Sequence, residues 1–245
     1  MKDNFSKQSD LYAKYRPNYP TSLIEEVVSH CHNFKLAWDC ACGNGQIAGL
    51  LSPKFENVFA SDLSQKQIDN AVQKTNITYK VEKSESSSLL NSSVDLIVVA
   101  QAVHWFQFDA FYTEAKRVLK PNGMIAILGY GLFASTPEID SIVNNFYKNI
   151  VGSYWDSERK YLDEKYQTIP FPFSEIKMAK HFITLQWGVD DILGYLNTWS
   201  AVHHYISKTG HNPISIIEEE LKNAFVACNK VEIKIELYTR VGKYE

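Results

Sequence analysis

The chain has 245 residues, 45% of them hydrophobic and 22% charged, with a formal net charge of −3. It is long and apolar enough for a sizeable core, and it lacks the basic excess of a protein that grips nucleic acid by its phosphates. No apolar run approaches the roughly 18 residues of a membrane span. The polar opening "MKDNFSKQSDLYAKYRPNYP" has no signal-peptide core, and the four cysteines (Cys31, Cys40, Cys42, Cys228) are too few for a disulfide scaffold of this size. These features predict a cytoplasmic protein with neither a nucleic acid nor a membrane as partner; nothing marks an oligomer interface.

The first half alternates between element types. "TSLIEEVVSH" reads as a helix, with Ser22 and Glu25 spaced as a capping box. "LAWDCA" and "NVFAS" are short apolar strands. Ser64 and Gln67 are spaced as a second capping box, opening a helix in "SQKQIDNAVQK". "NITYKV" is a third strand, and "VDLIVVAQ" is apolar throughout, as a parallel strand covered on both faces should be. "FDAFYTEAKRVL" is helical, "KPNG" closes it with turn chemistry, and "MIAILGY" is the fifth strand.

After about residue 130 the rhythm breaks into an aromatic-rich stretch. "KHFITLQ" is strand-like, "DDILGYLNTWSAVHHYI" and "PISIIEEELKNAFVA" read as helices, and "VEIKIELYTRVG" alternates as an antiparallel edge strand does. The pattern predicts an α/β fold: a doubly wound, Rossmann-like sheet of seven strands, mostly parallel, with a helical and aromatic insertion as a cap. One domain is expected, with an N-terminal lid and first helix (1–35), a ligand-binding core (36–130), a cap (131–210), and a last helix and edge strand (211–245).

The stretch "WDCACGNGQ" (38–46) carries the chemistry. Cys40 and Cys42 stand one residue apart, not the two to four of a zinc knuckle, and no second pair follows, so no metal is expected. An apolar strand ends at Asp39, small residues at 41, 43 and 45 let the backbone turn sharply, and a helix begins near Gln46 with its free N–H groups facing any ligand. Asp62 follows strand two, where a carboxylate can accept the hydroxyls of a ribose. "GNGQIA" also fits the G-x-G-x-x-A pattern of NAD-binding proteins, which leaves an NAD-dependent oxidoreductase as an alternative. The charge of Asp39 is awkward beside a pyrophosphate and useful beside a cationic ligand such as S-adenosylmethionine.

"DCACGNGQ" resembles the D-x-G-x-G-x-G motif of class I S-adenosylmethionine-dependent methyltransferases, with Ala41 where glycine is usual. "ASDLSQKQI", "KSESSSLLNSSVDLIVVAQAVHWF" and "FYTEAKRVLKPNGMIAI" extend the likeness. "YAKYRPNYP", "AQAVHWFQFDAF" and "GYLNTWSAV" resemble the branch around trans-aconitate methyltransferase. The resemblance implies that Asp39, Ala41, Gly43, Gly45 and Gln46 hold the methionine end of the cofactor. Asp62 would hold the ribose and Leu63 would flank the adenine, with Gln67 also in the cofactor site and Ser84, Glu85 and Ser86 at the adenine edge. Ala100, Gln101 and Ala102 would line the reacting end, and Tyr12 and Arg16 would belong to a lid over it.

On the acceptor side the resemblance places His104 and Trp105; Tyr195 and Trp199 at helical spacing are either core or substrate wall. His203 and His204 point about 100° apart on a helix and form no two-ligand site. The implied reaction is methyl transfer to a small molecule, with O-methylation of a carboxylic acid favoured because a carboxylate is already ionised and needs no base. A neutral hydroxyl or amine would instead recruit His104, the only candidate catalytic group. A catalytically silent binding protein of the same fold is the second alternative.

Overall fold

The structure is a computed structural model that describes residues 15–226 and 228–245; Tyr12 lies outside them. Eight strands, β1 (Leu36–Cys40), β2 (Asn57–Asp62), β3 (Ile77–Val81), β4 (Val94–Ala100), β5 (Leu119–Tyr130), β6 (Ser174–Ile176), β7 (Phe182–Trp187) and β8 (Val231–Lys243), form one sheet. Its order is β3-β2-β1-β4-β5-β8-β6, with β7 also on β8. Strands β1 to β5 pair in parallel, and β8 runs antiparallel to β5. The outer side of β8 carries two short strands where one was expected. Between them Ala179 turns its N–H to the Glu26 carboxylate instead of to β8.

Alternation along the strands feeds two cores, one on each face of the sheet. Ala37, Val58, Ala60, Leu96 and Val98 pack with α1 (Thr21–Ser29) and α2 (Gln46–Leu51). Trp38, Phe59, Ile97 and Val99 pack on the other face with α4 (Phe108–Val118). Six of the seven β4 residues are buried, as its unbroken apolar run demands. The first core continues into the cap helices α5 (Pro137–Asn145), α7 (Val189–Asn197) and α8 (Ser200–Thr209) through Phe146, Tyr195 and Trp199. No helix of the described residues is long and apolar enough to cross a membrane.

Four local expectations are refined. The first helix starts at Thr21 behind an extended Pro20, so Ser22 is already inside it and caps nothing. Ser64 does cap α3 (Gln65–Asp69), accepting from the Gln67 N–H, but this helix is short because Val72 turns its N–H to the carbonyl of Asn44. "KPNG" is looped out inside β5, with Asn122 at φ 66°, between the Val94–Leu119 and Leu96–Met124 pairs. The helix expected across 190–206 breaks into α7 and α8. Thr198 Oγ1 donates to the Tyr195 carbonyl at 2.6 Å, and Trp199 is extended.

Candidate functional site

Strands β1 and β4 are neighbours whose crossovers leave in opposite directions, so a crevice opens beyond their carboxyl ends. The turn after β1 is left-handed at every second residue: φ is 58° at Ala41, 52° at Gly43 and 75° at Gly45. That alternation is the physical reason for small residues at these positions, since a Cβ in this region costs roughly 1–2 kcal/mol. Ala41, where the motif usually has glycine, bears the strain. The turn is fixed from outside: Cys42 N–H donates to the Ser61 carbonyl at 2.9 Å and Gly43 N–H to Asp62 Oδ2 at 2.9 Å. Asp62 Oδ1 accepts from Ser64 N–H at 2.8 Å, so one carboxylate joins the turn to the start of α3.

Asp39 is buried, with Oδ2 accepting from Ala48 N–H at 2.8 Å in α2. Burial pushes its carboxyl up to about 7; the Ala48 bond opposes this and the Asp62 charge adds to it. Cys40 and Cys42 sit in the cores of opposite faces of the sheet and do not converge. His203 and His204 also diverge, to the carbonyls of Asn197 and Tyr154.

Two clefts meet here. The first, about 500 Å³, is lined by Arg16, Asp39, Ala41, Gly43, Gln46, Ala100 and Gln101 of the expected residues, together with Tyr19, Asn44 and Tyr130. The second, about 480 Å³, is lined by Arg16, Gln101, His104 and Trp105, together with Trp155, Asp156, Arg159, Leu162 and Ser200. Arg16 and Gln101 border both clefts. Gln101 holds φ 55°, and its amide donates to the Tyr130 carbonyl at 3.1 Å. Arg16 donates to the Thr198 carbonyl at 3.2 Å and lies 5.2 Å over the Tyr195 ring.

The other expected residues fall outside these two linings. Ser84 is buried, with an Oγ that has no hydrogen-bond partner among the described residues. Glu85 accepts from Gln107 N–H, and Ser86 is exposed. Leu63 is half-buried, and Gln67 and Ala102 are buried. Tyr195 and Trp199 are 2% exposed and form the layer behind the clefts: Tyr195 beneath Arg16, Trp199 at 5.4 Å from the Trp155 ring. The serine-rich loop is tied to α4. Glu114 of α4 accepts from both the N–H and the hydroxyl of Ser87 at 2.7 Å, while Arg117 pairs with Glu114 and bonds Asn91.

Sequence reasoning missed Arg159. It begins α6 (Arg159–Asp163) and is built in on three sides. It lies 4.6 Å over the Trp155 ring, its Nε donates to Tyr147 Oη at 2.9 Å, and Asp163 stands at 3.3 Å. Tyr147 comes from a π-helical turn, Phe146–Ile150, of the kind that recurs at functional sites. Neither terminal Nη of Arg159 is hydrogen-bonded among the described residues. The only local signal was the density of aromatic and charged residues in "SYWDSERKY".

His104 is buried beside Trp105, with Nδ1 2.9 Å from Tyr166 Oη. Burial, reinforced by the Arg159 cation against a weaker opposite pull from Glu158, drives the imidazole down to about 3. It is therefore neutral near pH 7.

Comparison with known proteins agrees with this geometry. A family model described as a methyltransferase domain matches residues 38–127. A Dictyostelium discoideum protein described as a methyltransferase is 33% identical over 251 residues, covering 99% of this chain and 95% of that one. A Saccharomyces cerevisiae protein described as an S-adenosylmethionine-dependent methyltransferase is 28% identical over 177 residues, 68% of this chain and 59% of its own. The structure of an Anaeromyxobacter dehalogenans protein described as a type II methyltransferase superposes with a TM-score of 0.86 at 35% identity, over 94% of this chain and 98% of that one. Fold, turn and relatives agree, and the chain belongs to the class I S-adenosylmethionine-dependent methyltransferases.

Proposed function

We propose that this chain methylates a carboxylate oxygen of a small organic acid, with S-adenosylmethionine as the methyl donor bound in the first cleft and the acid in the second. Three features fit that cofactor. In the first cleft Asp39 puts a carboxyl where an ammonium group would sit and the left-handed turn 41–45 keeps side chains out of the way; outside the cleft lining, the hydroxyl of Ser84 is buried without a partner among the described residues. A buried orphan hydroxyl costs free energy until something bonds it, and the adenine edge is the group assigned to it here.

In this reading Asp39, Ala41, Gly43, Gly45 and Gln46 hold the amino-acid end, Asp62 the ribose, and Leu63, Gln67 and Ser84 to Ser86 the adenine side. Ala100 to Ala102 line the reacting end, and Arg16 closes over it. When bound, the cofactor supplies a sulfonium-activated methyl group that the acceptor oxygen displaces in line. The chain supplies alignment and a dry site.

The observation that carries the acceptor class is Arg159. A guanidinium held by Trp155, Tyr147 and Asp163 in the lining of the second cleft, with neither Nη hydrogen-bonded among the described residues, is preorganised for a carboxylate. Arg16 adds a second positive charge at the junction of the clefts. His104, being so weakly basic, suits an acceptor that is already ionised at neutral pH. The likeness of "RPNYP" and "HWF" to the trans-aconitate branch supports the same class. Residues 131–210, which contribute Trp155, Arg159 and Ser200, act as the acceptor wall of a single methyltransferase domain, and the free cysteines suit a cytoplasmic setting.

The test is a screen of small acids against their neutral amides, in the wild type and in Arg159→Ala. Acids but not amides are expected to be methylated. Arg159→Ala is expected to raise the acceptor KM by roughly tenfold or more while leaving S-adenosylhomocysteine affinity unchanged. Equal use of acids and amides, or an unchanged KM, would count against a carboxylate acceptor.

A pH dependence follows from Asp39. With its carboxyl raised to about 7, it is largely protonated at pH 6 and ionised at pH 8. An ammonium beside it favours the ionised form and pulls the value down, so binding at pH 6 releases a proton. S-adenosylhomocysteine affinity should therefore rise about tenfold between pH 6 and 8 and level off above. Calorimetry at pH 6 in two buffers of different ionisation heat reads the released proton directly. Heats that do not depend on the buffer would remove Asp39 from contact with the ammonium.

A further inference from the structure

Tyr166 is a residue the reaction above does not use, yet its backbone and ring are both held by specific contacts. It sits at φ 60° in the left-handed region, which a bulky residue occupies only under constraint. Its ring is completely buried, lies 5.8 Å from the His104 ring at 28°, and covers Gly129 so closely that a Cβ there would stand 2.4 Å from Tyr166 Cε2. Its backbone is pinned at both ends: the N–H donates to the Tyr161 carbonyl at 2.7 Å, and the carbonyl accepts from Arg240 Nη1 at 3.3 Å. Arg240 is itself fixed by a two-pronged pair with Glu175 and a bond to the Ile169 carbonyl. The result of this support is a phenol Oη placed 2.9 Å from His104 Nδ1.

A phenol is a good donor and an imidazole nitrogen a good acceptor, and the partner of one ring nitrogen sets which nitrogen carries the hydrogen. We propose that Tyr166 donates to Nδ1 and thereby locks His104 as the neutral Nε2–H form, so that His104 is a hydrogen-bond donor orienting the methyl acceptor and not a base that deprotonates it. Nε2 makes no hydrogen bond among the described residues, and His104 borders the second cleft. The charged groups around the ring, Arg159 and Arg16 across the cleft, Asp156 in its wall and Glu158 beside α6, leave it neutral, the direction that burial sets. Tyr166 is a positioning residue; His104 is the group that meets the acceptor. The donor role rests on the acceptor reading above, and the lock itself does not.

Long-range proton–nitrogen correlation spectra of the histidine-labelled protein, with His104→Gln to assign the signal, read the lock with no acceptor present. The neutral Nε2–H form at both pH 7 and pH 5 is expected, with Tyr166→Phe shifting His104 toward Nδ1–H. An Nδ1–H form, or protonation of this ring between pH 5 and 8, overturns the lock.

Kinetics with a methylated acid test the donor role. Tyr166→Phe should lower kcat about fivefold without changing S-adenosylhomocysteine affinity. His104→Gln, whose amide offers a donor near Nε2 but no base, should retain most of the activity that His104→Ala loses. Equal losses in Gln and Ala, or a kcat inflection near pH 6.5 that vanishes in Gln, would show a base and overturn the donor role. If no acid is methylated while the Nε2–H form is seen, the acceptor reading fails and the lock stands; acids methylated by a protein with Nδ1–H have the reverse meaning.

Discussion

Asp62→Ala is expected to weaken S-adenosylhomocysteine binding at least tenfold, about 1.4 kcal/mol. Two losses combine. The carboxylate is the ribose acceptor in the proposed site, and charge-assisted bonds of that kind are among the stronger ones. It is also the bracket that joins Gly43 N–H at 2.9 Å to Ser64 N–H at 2.8 Å, so its removal takes the acceptor from two amides and loosens the 41–45 turn. Asp62→Asn keeps one carbonyl oxygen and the shape, and should fall between wild type and alanine. Titration calorimetry measures both variants; an unchanged dissociation constant in Asp62→Ala would exclude the residue from the site.

Gly45→Ala is expected to destabilise the fold by about 2–3 kcal/mol. Gly45 stands at φ 75°, where alanine bears a penalty of roughly 1–2 kcal/mol. The added methyl would also fall 2.2 Å from Tyr79 Oη. Tyr79 would have to swing away and give up its bond to the Val72 carbonyl, which ties the middle of β3 to the stretch after α3. Urea unfolding reads the total. Repeating it in a Tyr79→Phe background separates the steric part from the backbone part, because Phe removes the colliding oxygen and the bond together. A change below about 0.5 kcal/mol would mean that the turn has room the geometry denies.

The core of the sheet was legible because a parallel strand covered on both faces is a run of apolar residues, as "VDLIVVAQ" is. The turn after β1 was legible because alternating left-handed backbone favours small residues, and Ala41, Gly43 and Gly45 stand at φ 58°, 52° and 75°. Asp39 and Asp62 were singled out by their distance along the chain from that turn, and both bond it or the helix that follows it. The cap resisted the same reading. Tyr195 and Trp199 repeat at helical spacing, which marks burial but does not say whether the buried face is a wall or a core. The break at Thr198 depends on one side-chain-to-carbonyl bond and on Trp199 entering an aromatic cluster.

Arg159 was invisible for a related reason. Its position depends on a π-helical turn presenting Tyr147 and on Trp155 folding beneath the guanidinium, contacts that no local spacing encodes. Tyr166 was hidden too, since its partner His104 lies 62 residues away in the chain. The contacts that order the serine-rich loop were hidden as well, because they come from Glu114 and Arg117 on a distant helix.

Titration calorimetry of the purified chain with S-adenosylhomocysteine, with NAD run in parallel, tests the assigned cofactor site most directly. One-to-one binding of S-adenosylhomocysteine in the micromolar range, with no heat from NAD, is the expected result. No binding of S-adenosylhomocysteine, or saturable binding of NAD, would contradict the assignment of the 41–45 turn and return it to a dinucleotide site or a catalytically silent fold.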